Sequence, residues 1–197
     1  MNTYNLKSRP LYEVEALSLH EAVPGHHLQL ALQQEMTELA PFRRFVHWTA
    51  FVEGWGLYAE RLGLETGFYT DPYSNFGRLS YEMWRACRLV VDTGIHMEEK
   101  RWTRQRAIDY LTANTPNSQG DIANSVERYI VDPGQATSYK IGMAKILELR
   151  EAAKATLGPK FDLRGFHNAV LVNGAVPLTI LADIVNAWVK ETAATDR

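Results

Sequence analysis

Three histidines and one glutamate lie within eight residues of this chain, in the segment His20-Glu21-Ala22-Val23-Pro24-Gly25-His26-His27. Neutral imidazole is the commonest transition-metal ligand in proteins, and a neighbouring carboxylate can act as a general base. The segment is a lengthened form of His-Glu-x-x-His, a helical motif in which two histidines one turn apart bind Zn²⁺. It therefore predicts a metal site with His20 as a ligand and Glu21 as the base.

The spacing of the histidines does not suit a straight helix. At about 100° per residue, His26 lies about 240° round from His20, whereas His27 shares its face but lies about 10.5 Å further along the axis. Pro24 cannot donate to the carbonyl of His20, and Gly25 tolerates most backbone conformations. We therefore expect a kink that brings either His26 or His27 beside His20. The alternative is a helix that ends at Pro24-Gly25 and continues as a polar turn.

A catalytic zinc site needs a third protein ligand and one open position, and Glu53 is the candidate for that ligand. Gly54 and Gly56 beside it each cost about 1 kcal/mol in a helix interior relative to alanine. They indicate close packing, which we expect to be against the metal-binding helix. Glu60 lies on the same face as Glu53, and it is predicted to accept a hydrogen bond from a ligand histidine or to contact substrate. The alternative is that both carboxylates are solvated.

A long helix predicted from Gly77 to Met97 carries a polar stripe opposite an apolar one. Arg85 or Arg88 is predicted to bind a substrate carboxylate, and Asp92 or His96 to support the metal ligands. The alternative is an ordinary solvent-exposed face. The polar stripe comprises Tyr81, Arg85, Arg88, Asp92 and His96, and the opposite stripe comprises Leu79, Met83, Cys87, Val90 and Gly94.

The segment from Pro133 to Lys140 places two more reactive side chains just after a glycine-containing turn. The phenol of Tyr139 could donate a hydrogen bond to a developing oxyanion, and the ammonium of Lys140 could enter a cleft. Position alone favours a packing role for Tyr139 and a surface role for Lys140. His47 and His167 have no recognisable partner, so both are predicted to be structural.

Composition limits the class of protein. The 197 residues, 46% hydrophobic and 22% charged, predict one globular domain over residues 1–197. A net charge of −2 gives no electrostatic argument for nucleic acid. Cys87 is the only cysteine, which excludes an internal disulfide framework. Residues 1–10 lack the apolar core of a signal peptide, and no apolar run is long enough to span a membrane. We therefore expect a cytoplasmic protein without membrane contact.

The apolar residues recur with a helical period in nearly every segment, and no alternating strand pattern is convincing. The sequence therefore predicts an all-α, multi-helix bundle. Loops are expected at residues 68–76 and 114–120. Helices are predicted at residues 11–20, 28–39, 41–64, 77–97, 103–113, 121–131, 135–157, 162–172 and 177–192.

Four segments of the sequence resemble motifs of the bacterial family called domain of unknown function 885. They are residues 20–29, 52–60, 84–96 and 133–140, and the resemblance covers nearly the whole chain in order. The family is similar to the gluzincin metallopeptidases, some of which place glycine directly before the second histidine ligand. The resemblance thus implies a gluzincin-like metal-binding helix pair, with His26 as the second ligand and His27 as the reserve. It also implies Glu53 as the third ligand, Glu21 as the base and Tyr139 as the oxyanion donor.

The same resemblance shapes the expected function. It implies a zinc-dependent hydrolase of peptide or other amide bonds, acting on a short peptide or small amide. Family members are usually longer, and these residues correspond to their C-terminal portion. We therefore expect either a homo-oligomer or a complementary N-terminal chain as partner. The alternative is a catalytically inactive or partner-dependent helical binding module derived from such an enzyme.

Overall fold

A computed structural model describes Leu6 and residues 9–195, so the ends of the predicted domain and most of its polar N-terminal stretch lie outside the described residues. Within the described residues the secondary structure is helical, which confirms the all-α prediction. Short 3-10 helices cover Leu11–Glu13 and Gly158–Lys160. The α-helices are α1 Val14–Glu21, α2 His26–Glu35, α3 Pro41–Phe45, α4 Thr49–Glu65, α5 Pro72–His96, α6 Arg104–Asn114, α7 Gln119–Val131, α8 Gln135–Leu157, α9 Leu163–Leu171 and α10 Leu178–Ala194.

Helix boundaries follow the capping side chains. Thr103 and Asp162 accept hydrogen bonds from backbone N–H groups at the starts of α6 and α9, close to the predicted starts of these helices. The predicted loop at 68–76 is too long, because Asp71 caps α5 and proline occupies the first position of that helix. α7 also begins earlier than predicted, since Ser118 rather than Asp121 is its capping residue.

The predicted helix at 41–64 is in fact two helices, α3 and α4, separated by extended backbone at Val46 and Trp48. The buried side chain of Gln33 explains the break. Its amide nitrogen donates to the carbonyl oxygens of Arg43 and Val46, at 2.9 and 3.0 Å. These bonds satisfy carbonyl groups that a continuous helix would have bonded internally.

The centre of the bundle is the crossing of α4 and α8. A Cβ atom on Gly54 would lie 2.5 Å from the Cα of Gly142, and a Cβ on Gly142 would overlap the carbonyl oxygen of Ala50. The two backbones can approach this closely only because both positions are glycine. Large side chains of α4, among them Trp55 and Tyr58, are fully buried around the crossing.

Helix α5 turns its polar stripe inward. Arg85, Arg88 and Asp92 are at most 5% exposed, whereas Leu79 and Met83 are about half exposed. The alternative of an ordinary solvent-exposed polar face is therefore wrong for these three residues. Buried charges require partners, so the contacts of this stripe bear directly on function.

None of the helices in the described part of the chain is long and apolar enough to cross a lipid bilayer.

Candidate metal centre

The chain turns sharply between α1 and α2, and this turn brings two histidines together. α1 ends at Glu21 and α2 begins at His26. A Cβ atom on Gly25 would overlap the carbonyl oxygen of His20, so only glycine permits the turn. The indole of Trp55 on α4 donates to the carbonyl oxygen of Pro24 at 2.7 Å, which ties the turn to the core.

His20, His26 and Glu53 each direct one donor atom to a common point. The Oε2 atom of Glu53 lies 3.6 Å from Nε2 of His20 and 3.2 Å from Nε2 of His26. The three donor atoms all lie within 4.8 Å of one another. Ligands about 2.1 Å from one tetrahedral ion are about 3.4 Å apart, so this spacing suits a shared metal ion.

Gly56 makes room for the two imidazoles. The rings of His20 and His26 meet edge to face, with centroids 4.6 Å apart. A Cβ atom on Gly56 would lie 2.7–2.9 Å from atoms of both rings, so any larger residue would push them away from α4. Gly56 therefore packs against the histidines as expected, while Gly54 packs against α8.

The outer nitrogens of both rings bind side-chain oxygens. Nδ1 of His20 lies 2.7 Å from Oε1 of Glu60, and Nδ1 of His26 lies 3.4 Å from Oε1 of Gln29. A carboxylate or an amide oxygen accepts, so these contacts favour the tautomers that carry the proton on Nδ1. In those tautomers each Nε2 would be able to bind a metal ion in place of its contact with Glu53. Such outer contacts orient metal-binding histidines in known sites.

Hydrogen bonds outweigh burial in setting the pKa values of Glu53 and His20. Burial raises the pKa of Glu53, but hydrogen bonds from His20, His26 and Tyr139 outweigh it and hold this pKa far below its usual range. Burial likewise lowers the pKa of His20, yet its hydrogen bonds to Glu53 and Glu60 raise it overall. Glu53 is therefore an anion at neutral pH, placed where a cation would be stabilised.

The donor atoms open onto a cavity of about 410 Å³. Glu21, at the end of α1, is exposed and lines this cavity beside the cluster. A ligand set of two nitrogens and one oxygen at a cavity leaves room for a further ligand such as water. The lining consists of His20, Glu21, His26, Leu30, His47, Val52, Glu53, Arg85, Arg88 and Tyr139.

The start of α8 holds two polar side chains against the cluster. The amide nitrogen of Gln135 donates to the phenol oxygen of Tyr139 at 3.1 Å and to Oε1 of Glu53 at 3.3 Å. Asp92 accepts from the backbone N–H groups of Gly134 and Thr137, each at 3.1 Å. Asp92 thus fixes the first turn of α8, which is a correction to the prediction that it supports the metal ligands.

Three more predicted site residues lie elsewhere. His27 is exposed and does not line the cavity. His96 donates from Nε2 to the carbonyl oxygen of Tyr129 at 2.8 Å, so it links α5 to α7 instead of supporting the metal ligands. Lys140 pairs with Glu82 at 2.6 Å and faces a different groove. The helices turn His96 toward α7 and Lys140 toward Glu82, and they leave His27 facing solvent.

Three residues of the site were missed by the sequence reasoning. Gln29 lies one turn after His26, and Gln135 lies one turn before Tyr139; both spacings place side chains in contact on a helix and could have been noticed. His47 was predicted to be structural but lines the cavity. It lies in the break between α3 and α4, which the sequence pattern did not indicate.

Comparison with known proteins gives a family and two solved relatives. Residues 1–185 match the family model described as "Bacterial protein of unknown function (DUF885)". A structure from Colwellia psychrerythraea is 48% identical with a TM-score of 0.94, and it covers 97% of this chain. One from Shewanella oneidensis is 27% identical with a TM-score of 0.82, and it covers 92% of this chain. The matches span 32% and 33% of those two longer chains. No curated protein matches.

Both solved relatives are described as a "putative lipoprotein". Lipoproteins are held at a membrane through a covalent lipid, without need of a membrane-spanning helix. This description contradicts the cytoplasmic location predicted from the sequence. The prediction failed because it rested on the absence of a signal and of a spanning helix within a chain that covers about one third of these relatives.

Proposed function

This chain belongs to the DUF885 family, and we propose that it is a zinc-dependent hydrolase of peptide or other amide bonds with a gluzincin-like metal site. One observation carries the proposal: two imidazole nitrogens and one carboxylate oxygen converge at the edge of a cavity. Two histidines with one glutamate is a ligand set of catalytic zinc sites in metallopeptidases.

The surroundings of the cluster favour a metal over a purely structural network. Glu60 and Gln29 accept from the outward nitrogens, which leaves both inward nitrogens able to exchange their contacts with Glu53 for a metal ion. Gly56 leaves the space that both rings occupy. His26, and not the exposed His27, is therefore the second ligand in this proposal.

Each polar group of the cavity has a role in the proposed reaction. A bound zinc ion would polarise the scissile carbonyl and make a water molecule acidic near neutral pH. Glu21 takes the proton of the attacking water and returns it to the leaving amine. Gln135 donates to the phenol oxygen of Tyr139, and the phenol proton, which Glu53 accepts in the free protein, turns to the substrate oxyanion in the proposed reaction.

The variant Glu21→Gln tests the proposal, because it removes the base and leaves all three metal-binding side chains in place. We expect zinc content to stay at the wild-type level and turnover of short peptides and N-acyl amino acids to fall by roughly 10²- to 10⁴-fold. Zinc measured by atomic absorption and peptide cleavage by chromatography give both values. Wild-type turnover in this variant would show that Glu21 is not the base.

We further propose that these residues are the C-terminal portion of a protein as long as its relatives, and that this protein acts at a membrane. A groove of about 770 Å³ beside α5 is lined by Phe76, Leu79 and Met83, which are each about half exposed. An exposed apolar groove of this kind usually binds another protein or another part of the same chain. The remainder of a relative-length protein is the proposed cover.

The isolated chain is then expected to self-associate through this groove, and a relative-length protein to be monomeric. Light scattering on both forms checks this prediction. The competing function is a helical binding module without catalysis. It predicts a stably folded chain that binds no stoichiometric zinc.

A further inference from the structure

Two arginines of α5 line the same cavity, but their surroundings differ. Arg85 donates to Oε1 of Glu60 at 3.1 Å, so its charge is matched by a buried carboxylate. Arg88 is 5% exposed, and within the described residues no carboxylate lies within ion-pair distance of it. The Nε atoms of both arginines are buried without a hydrogen-bond partner, so the difference between them is the carboxylate that only Arg85 has.

The other buried arginines of the described chain show how unusual this is. Arg78 pairs with Glu82 at 2.8 Å, and Arg150 binds Glu65 at 2.7 Å. With Arg85, three of the four buried arginines therefore have an acidic partner. A buried charge without one is strongly unfavourable, and a site that retains it is typically built for an anion that arrives from outside.

Aromatic rings hold the Arg88 guanidinium in position. Its Cζ atom lies 4.2 Å from the ring centroid of Trp84 and 4.6 Å from that of Tyr139. Stacking on ring faces orients the planar group without neutralising it. A hydrogen bond to Tyr139 uses part of its donor capacity, and the other N–H groups remain able to bind an anion. A guanidinium binds a carboxylate through two parallel hydrogen bonds, a geometry that an ammonium cannot reproduce.

Tyr139 also gives the distance from Arg88 to the metal cluster. The ring of Tyr139 lies 6.2 Å from that of His20 and 4.6 Å from Cζ of Arg88. The guanidinium is therefore within about 11 Å of His20. An extended peptide advances at most about 3.5 Å per residue, so this separation corresponds to one or two residues beyond the scissile amide, once ligand bonds are included.

We propose that Arg88 binds the free C-terminal carboxylate of the substrate, one or two residues beyond the cleaved amide bond. The substrates are then short peptides or N-acyl amino acids, and longer chains are cut only near their C-terminal end. This inference rests on the proposed hydrolase function. The charges in the cavity agree with it: Glu60 offsets Arg85, and Glu53 and Glu21 offset a divalent ion, which leaves Arg88 for the substrate.

The test compares a free acid with its amide. N-acetyl-tri-alanine and its C-terminal amide are offered to zinc-loaded wild type, Arg88→Met and Arg88→Lys. We expect the wild type to favour the acid in kcat/KM by roughly 10- to 100-fold, the range of charge-assisted hydrogen bonds. In Arg88→Met the acid-to-amide ratio of kcat/KM should fall to about 1, and Arg88→Lys should restore only part of that ratio.

Arg106→Met is the matched control, because Arg106 stacks on Trp102 with Cζ 4.4 Å from the ring but is exposed and outside the cavity. It should retain the wild-type preference. Equal rates of the wild type on acid and amide would overturn the inference, and this comparison needs no variant to fold. If the wild type hydrolyses acid and amide equally well, the role of Arg88 is refuted and the hydrolase proposal stands.

A binding measurement separates this inference from the hydrolase proposal. N-acetyl-di-alanine and its amide are titrated calorimetrically into metal-stripped wild type and Arg88→Met. We expect the acid to bind the wild type at least about 10-fold more tightly than the amide, and this difference to vanish in the variant. If no substrate is cleaved but this difference persists, the hydrolase proposal fails and the anion site stands. Equal binding of acid and amide would refute the anion site.

Discussion

The buried His20 and the half-buried His167 both pack against α4, but they differ in their hydrogen-bond partners and in their access to a cavity. Nε2 of His167 lies 2.9 Å from the hydroxyl of Tyr58, which in turn accepts from Arg150 at 3.0 Å. Arg150 then binds Glu65, so the network ends at a matched ion pair. His20 lies instead between two carboxylates, with one nitrogen facing a cavity.

The protonation of the two rings follows from these partners. Burial, assisted by the nearby charge of Arg150, lowers the pKa of His167 to about 4, so this ring is neutral and accepts the Tyr58 proton. The pKa of His20 is raised in spite of burial, because Glu53 and Glu60 both bind the ring. Burial alone thus does not distinguish the two rings. Convergence of donor atoms beside a cavity distinguishes His20, and this is the feature on which the proposed metal site rests.

The largest effect expected from this contrast is in metal binding. His20→Ala removes one of three proposed ligands, so zinc should be lost, with an affinity fall of at least about 100-fold, and hydrolysis should be lost with it. His167→Ala is the matched control, since it removes the half-buried histidine of the other network and should retain stoichiometric zinc. Zinc content after dialysis against a weak chelator gives both results. If both variants retained the same zinc content, the claim that His20 but not His167 binds the metal would be wrong.

A smaller effect is expected from Glu60→Gln, which keeps the shape of the side chain but removes the charge that fixes the outer proton of His20. Loss of such a contact typically lowers metal affinity by roughly 10- to 100-fold. Competition with a fluorescent zinc chelator measures the change. Glu65→Gln, in the Tyr58–Arg150 network, should leave zinc affinity unchanged. An unaltered affinity in Glu60→Gln would mean that this carboxylate does not orient the ring.

The sequence identified the residues of the cluster better than it predicted their geometry. The histidines of the lengthened motif and Glu53 were identified by residue type and spacing, and the structure brings His20, His26 and Glu53 together. Whether His26 or His27 turns inward depends on the conformation of Ala22 to Gly25, which the residues alone left open. The family resemblance favoured His26, and that choice stays a prediction until metal is measured.

The partners of the α5 residues could not be predicted because they depend on three-dimensional packing. Arg85 and Arg88 are equivalent in the sequence pattern, and only the position of Glu60 on α4 gives one of them a carboxylate. Asp92 was predicted to support the metal ligands because its hydrogen-bond partner at the start of α8 lies 42 residues away in sequence and could not be foreseen. The all-α class, in contrast, follows from local periodicity, and it was predicted correctly.

The smallest expected effect is on acid stability. His167 has a pKa of about 4 in the folded protein and about 6.5 when unfolded, so the unfolded chain binds more protons between these values. The free energy of unfolding should therefore fall as pH drops from about 6.5 towards 4. The full linkage value for His167 is about 3 kcal/mol, which solvent screening of this half-buried ring reduces to about 1 kcal/mol. Urea unfolding at pH 7 and pH 5 measures it. His167→Gln should lose less stability over this range, and an identical loss would assign the acid sensitivity to other groups.

Anomalous diffraction at the zinc absorption edge, from crystals of zinc-loaded protein, tests the central claim most directly. We expect one strong peak about 2.0–2.2 Å from Nε2 of His20, Nε2 of His26 and a carboxylate oxygen of Glu53, with a further position facing the cavity. A peak coordinated by His27 instead of His26, or no peak at these three side chains, would contradict the proposed metal centre.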